Sequence, residues 1–275
     1  MKRILIERKY SYNDENKICT ACGTQFSLGS KVPNLCPICE DNRQYIPERG
    51  QTWTNKRDLS NNYEVLFKKV NDRLYQLKII PAFAIGQRAF FVLAPSGNIL
   101  WDCIPHISES AIDFIRAKGG LKAIIFSHPH FYSNMNEWAD IFNCPIYIHQ
   151  KDKKWIFNHG NHVVLWPGIE KELWDGIKII NIGGHFTGSS ILHIPFLSPK
   201  ALILCGDTLF ISPNKRHIAV MYSYPNKIPL PLVEIKRIKK QMLLLQFDTL
   251  HGAFDFQDIF SNPKLLLETS LGKYK

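Results

Sequence analysis

Several apolar runs in this chain stop on a residue able to bind a metal or move a proton. "AIIFS" runs into His128 and His130, "IINIGG" into His185, "LILCG" into Asp207 and "FDTL" into His251, while "NILWD" closes on Asp102. Strand ends that share one rim of a sheet gather such groups around one cleft, and three imidazoles with a carboxylate suit a borderline cation such as zinc or iron. Singly, each has an ordinary reading. A loop histidine is most often hydrogen-bonded or solvated, an aspartate after a strand often caps a turn, and His251 alone is as well explained that way as by a ligand role. His128-Pro129-His130 differs, because two imidazoles held close together cost solvation unless they bind something.

A second set of donors lies near the N-terminus. Cys19-x2-Cys22 and Cys36-x2-Cys39 have the spacing of two knuckle turns closing a tetrahedral four-thiolate site, as in a zinc ribbon, and Gly23 allows the turn after the first pair. So short a segment buries little apolar surface, so the metal would supply most of its folding energy. The wording also resembles rubredoxin, an iron protein. The shorter gap, and Leu35 where an aromatic is usual, favour structural zinc. Residues 40–55 read as a polar exit, which divides the chain into a zinc module with linker, 1–57, and a main domain, 58–275.

The main domain must supply the strands that carry these groups. "NNYEVLFKKV" reads as a helix with Ser60 as its cap. "RLYQLKI", "AFFVLA" and "NILWDCI" read as strands, and "SESAIDFIRAKGG" as a helix capped by Ser108 and ended by Gly119-Gly120. Further on come the strand "LKAIIFS", the helix "FYSNMNEWADIFN", the strands "PIYIHQ", "GIKIINIGG", "SSILHI" and "ALILCGD", the amphipathic helix "LVEIKRIKKQMLLLQ", the strand "FDTLHG" and a helical tail. Such mixing predicts a layered α/β domain.

In order, His128-Pro129-His130, Gly184-His185, Gly206-Asp207-Thr208 and His251-Gly252 resemble the motifs of the metallo-β-lactamase-fold hydrolases, over roughly residues 70–260. "AIGQRAFFV", "GNILWDC", "GGHFTGSSILH" and "MYSYPNKIPL" resemble, more narrowly, a bacterial and plant branch with a cysteine module in front. The resemblance implies an αββα four-layer sandwich with metal at one edge of its sheets. It places a first metal on His128, His130 and His185, Asp207 at or towards a second, His251 in that second site, and Asp102 as a structural residue beneath. The chain departs from the usual His-x-His-x-Asp-His, with Tyr132 and Ser133 at the last two positions. A neutral phenol and hydroxyl are poor ligands for a divalent ion, so one active-site zinc or iron is expected, with a second ion weak or absent.

A zinc-bound water ionises near pH 7 and one metal can polarise a carbonyl. The expected activity is therefore hydrolysis of a small-molecule ester, thioester or lactone. Asp207 would orient the nucleophile or take its proton, and Tyr132 would donate to a developing charge or simply pack at a helix start. His149 is read as a hydrogen-bond partner of a ligand or as a bonded loop histidine, and His193 as core or a similar partner. His106, His159, His162 and His217 are read as surface. "SYPNKIPLP" reads as a stiff lip over the cleft or a plain loop. Competing readings are a one-iron oxygenase of the persulfide dioxygenase type, a nucleic-acid processing enzyme and a non-catalytic binding protein.

Composition constrains these. The net charge of +10 suits nucleic acid, acidic lipid or an anionic substrate, with Lys215, Arg216 and Lys227 near the proline-rich stretch. No aromatic–basic stacking pattern accompanies it, so nucleic acid ranks low. The cluster Lys236, Arg237, Lys239 and Lys240 reads as a solvated helix face. No apolar run spans a bilayer and the first residues lack a secretory pattern, so a cytoplasmic location is expected. Seven cysteines fit metal binding and free thiols, with Cys103, Cys144 and Cys205 as small buried apolar residues.

Overall fold

Side chains alternate between two cores along the central strands. In Ala89-Phe90-Phe91-Val92, Ala89 and Phe91 join one apolar cluster and Phe90 and Val92 another; Leu202-Ile203-Leu204 divides in the same way. A strand buried on both faces must lie inside a stack of layers. The computed structural model, which describes residues 16–26, 33–158 and 160–275, has those layers.

Strands β1 (Lys17–Cys19), β2 (Gln25–Phe26) and β3 (Trp53–Thr54) form a small sheet in the order β2-β1-β3. Helix α1 (Lys56–Asn62) follows. A 7-stranded sheet then runs in plain sequence order through β4 (Glu64–Asn71), β5 (Leu74–Ile80), β6 (Ala89–Val92), β7 (Ile99–Trp101), β8 (Ala123–Ile125), β9 (Ile146–His149) and β10 (Val163–Trp166). Helix α2 (Glu109–Ala117) separates β7 from β8, and α3 (Met135–Phe142) separates β8 from β9. The 6-stranded second sheet contains β11 (Glu170–Glu172), β12 (Lys178–Asn181), β13 (Ser190–Ile194) and β14 (Leu202–Leu204). The chain next makes two hairpins, β15 (Phe210–Ile211) with β16 (Ile218–Ala219) and β17 (Met221–Ser223) with β18 (Ile228–Pro229), then α4 (Leu232–Leu244). It returns as β19 (Thr249–His251), parallel to β14, then β20 (Asp258–Ile259), and ends in α5 (Pro263–Leu271).

Three clusters give the layer order. Phe90, Ile99, Trp101 and Ile125 of the first sheet meet Ile179, Leu192, Leu202 and Leu204 of the second. The first sheet's outer face takes Ile112, Ile115 and Trp138 of α2 and α3, and the second's takes Ile235, Ile238, Met242 and Leu267 of α4 and α5. The arrangement is the expected αββα sandwich, with the cysteine module at its side.

Two local expectations fail. Residues 61–70 are not a helix: α1 ends at Asn62, its cap is Asn55 and not Ser60, and β4 pairs antiparallel with β5. Partly buried Val65 and Phe67, two residues apart, pack on the first core, a period-2 pattern masked by the charged positions around it. His106 is not at the surface but 5% exposed, on the loop leaving β7. His217 is exposed and His162 lies beside Asp140 at 3.1 Å, as surface residues do, whereas His159 lies outside the described residues.

Candidate metal centre

Strand β8 ends on Ile125; His128 caps the next turn, Pro129–Phe131, and His130 lies within it. The loop after β12 brings His185, and the loop after β14 brings Asp207. One ligand atom from each of these four buried side chains lies within 4.8 Å of the other three. The ring centroids of His128, His130 and His185 form a nearly equilateral triangle with sides of 5.0, 4.9 and 4.9 Å. His185 Nε2 stands 3.2 Å from His130 Nδ1, and His128 Nε2 stands 3.8 Å from Asp207 Oδ2. Donors bound to one tetrahedral zinc are separated by about 3.3–3.8 Å. His128 Nε2 and Asp207 Oδ1 are buried with no hydrogen-bond partner in the protein, a cost that a shared cation removes. The residues fit a metal.

Surrounding bonds aim the ligands. His128 Nδ1 meets Ser127 Oγ at 2.8 Å, and Asp102, with φ of 60°, accepts from both the Ser127 amide and its hydroxyl. Asp102 thus reaches the centre through Ser127. His185 Nδ1 donates to Tyr222 O at 2.8 Å. Burial lowers the His128 and His130 pKa values well below the usual range, helped by the neighbouring imidazoles. Burial also takes His185 down to about 4, against the bond to Tyr222 O. All three rings are therefore neutral near pH 7 and able to ligate. Burial pushes the Asp207 carboxyl up to about 7.

The other expected residues are placed differently. His251 lies outside the four-residue set; its Nδ1 donates to Asp258 Oδ1 at 2.6 Å, and its buried Nε2 has no partner. Burial pushes Asp258 up, but hydrogen bonds from His251 and Arg88 outweigh it and hold the carboxyl at about 2. Tyr132 belongs to the first core and packs edge-to-face on Phe126, 5.0 Å between centroids. His149 is the bonded loop histidine: Nε2 meets Gly168 O and Nδ1 accepts from the Lys151 amide, so it orients no ligand. His193 meets Gln246 O at 2.8 Å.

Several residues near the centre carried no signal in sequence. Asp152, buried, accepts from the Gly188 amide at 2.8 Å and so holds the loop that bears His185. Arg88 joins Asp258 to Gly252 O below His251. Tyr224, from the proline-rich hairpin, has its ring 5.3 Å from that of His185. That hairpin also supplies the carbonyl of Tyr222 to His185 Nδ1. Arg43 donates to His185 O at 2.6 Å. Only Arg88 and Tyr224 fall in stretches whose wording stood out.

The four cysteines converge as their spacing predicts. Cys19 Sγ–Cys39 Sγ is 3.7 Å and Cys22 Sγ–Cys36 Sγ 3.6 Å, with all four free, buried and grouped within 4.8 Å. Sulfurs on one tetrahedral zinc lie about 3.8 Å apart. Gln51 donates to Cys19 Sγ and accepts from the Cys36 amide, tying the knuckles together.

The uncharacterized protein YmaE of Bacillus subtilis (strain 168) is 41% identical over 240 residues, which cover 86% of this chain and 88% of that protein. The chain belongs to the YmaE family. No protein-family model matches it. Among solved structures, the DIM-1 metallo-β-lactamase superposes with a TM-score of 0.58 at 11% identity, covering 77% of this chain and 98% of its own. VMB-1 gives 0.57 at 15% identity, covering 76% and 95%. The fold is that of the metallo-β-lactamases. Among the described residues no helix is long and apolar enough to cross a membrane.

Proposed function

We propose that the protein is a metal-dependent hydrolase that cleaves an ester, thioester or lactone in a small molecule, using one zinc or iron ion at His128, His130, His185 and Asp207. The convergence of those four buried donors within 4.8 Å carries this reading. A cation held there supplies Lewis acidity, which polarises a carbonyl and makes water acidic enough to attack near neutral pH. The chain's own groups do the rest. Asp207, with Oδ2 3.8 Å from His128 Nε2 and Oδ1 free of any partner in the protein, orients the attacking water and accepts its proton. The Tyr224 ring lies along the same rim, with its hydroxyl on Ala219 O. The half-buried rings of Phe210 and Tyr224, 5.2 Å between centroids, offer an apolar surface to the substrate's body.

A single active-site ion is supported by Tyr132 and Ser133. The Tyr132 ring is in the core, and the buried Ser133 hydroxyl has no partner and stays neutral. Only Asp207 and His251 are left to hold a second ion. We propose zinc in the four-cysteine site.

Metal analysis of protein purified without added metal, wild type beside Cys19→Ser/Cys22→Ser, tests the assignment. Two equivalents are expected in the wild type, and one in the double variant. Turnover is then measured on a panel of ester, thioester, lactone and, given the structural neighbours, β-lactam. A fully loaded protein that cleaves none of them overturns the hydrolase reading. Iron in the histidine site with oxygen consumed in the presence of glutathione persulfide replaces it with the oxygenase.

A further inference from the structure

Residues 40–55, read in sequence as an exit from the cysteine module, instead reach the histidine centre. Arg43 follows Cys39 by four positions. Its Nε donates to His185 O at 2.6 Å, and its guanidinium lies between the rings of Phe186, 4.4 Å from the centroid, and Tyr222, at 4.2 Å. Asp41 Oδ1 fixes the other edge through Nη1 at 2.7 Å and accepts from the Arg43 amide at 3.0 Å. The main chain is clamped as well: Ser223 Oγ donates to Arg43 O at 3.1 Å, and Asn226 Nδ2 to Asn42 O at 3.0 Å and Gln44 O at 2.9 Å. Tyr222, on which Arg43 stacks, is the residue whose carbonyl takes His185 Nδ1. The module therefore grips His185 from the backbone side and also grips the hairpin that sets its ring. A second contact, Gln25 N to Ser133 O at 3.2 Å, braces the turn just after His130, where Ser133 has φ of 42°. His128 is aimed separately, by Ser127 and Asp102.

We propose that the four-cysteine module is an orienting strut for the histidine centre, and that Arg43 is the positioning residue through which it acts. A planar, stacked guanidinium with one nitrogen on a carbonyl and another on a carboxylate fixes a loop in a way that a flexible ammonium does not. The inference rests on the reading that the histidine cluster binds metal, and it gives the module a task in that site. Groups that orient a ligand from outside the coordination sphere are worth about 10- to 100-fold in metal affinity.

The test is a cobalt(II) titration of the histidine centre in protein whose thiolate site is zinc-loaded. Affinity and the visible d–d spectrum are read for the wild type, Arg43→Gln and Arg43→Lys, with zinc content and thermal midpoint checked in each. Arg43→Gln is expected to weaken cobalt binding by about 10-fold or more and to alter the d–d bands while the zinc stays in place. Arg43→Lys is expected to recover little of either. Cobalt binding in the wild type with identical affinity and spectrum in Arg43→Gln overturns the strut and leaves the hydrolase reading standing. A wild type that takes no cobalt at its histidines overturns both.

Discussion

At the scale of residues, chemistry is divided between groups that touch the metal position and groups that hold them. Asp207 is the one carboxylate in the four-donor set. Asp207→Asn keeps the shape but cannot accept a proton, so turnover on the best substrate of the panel should fall by about 100-fold or more, measured at matched metal content. The two tyrosines separate by position. Tyr132→Phe should leave the rate within about twofold, since the ring packs on Phe126, whereas Tyr224→Ala, which removes the ring beside His185, should raise KM more than it lowers kcat; an unchanged KM would remove Tyr224 from the substrate wall. The metal-capable residues were legible in the sequence because thiols and paired imidazoles are chemically scarce and their spacing is diagnostic. Arg43, Asp152 and Ser127 were not, because they act on backbone atoms or through another side chain, and no local pattern announces a partner far along the chain.

At the scale of elements, the strand ends that carry the centre could be read from apolar runs stopping at turns. The failure at residues 61–70 came from an edge strand whose outward charges hid a two-residue repeat. The turns are less forgiving than the strands. Gly206 has φ of 50°, and a Cβ there would collide with Ser127 Oγ, the hydroxyl that aims His128. Gly206→Ala combines a left-handed backbone with that collision and should destabilise the protein by about 2 kcal/mol or more, read from urea unfolding. A midpoint within error of the wild type would mean that the loop can shift freely. Gly188 is constrained similarly by the Asp152 carboxylate, so both glycines serve close approach in the loops that bear ligands.

At the scale of the whole molecule, the layered sandwich followed from alternating helices and strands, but the docking of the cysteine module did not, because it depends on contacts between the polar stretch at 40–55 and the β17–β18 hairpin. A separate approach of the module lies next to a misplaced residue. Pro105, one position before His106, fills the space beside Gly23 of the first knuckle, and burial takes His106 down to about 4 from an ordinary 6.5. The unfolded chain then binds this proton more readily than the folded one. Stability on this account is complete above pH 6.5 and falls as the pH drops from 6.5 through 4, by on the order of 3 kcal/mol. Urea unfolding across that window should show a shallower acid decline in His106→Gln than in the wild type; parallel curves would assign the decline to other groups.

The four donors of the histidine centre come two from the first sheet's connections and two from the second's, whereas all four thiols precede both sheets. A chain leaving the ribosome N-terminus first therefore presents a complete thiolate site while residues 128–207 are still unmade. The four-donor set of the histidine centre is not assembled until Asp207 has emerged and the halves have met. Under the proposed assignment, metal loading acquires an order set by translation, and a truncated product can carry the first ion while its histidine site is never built.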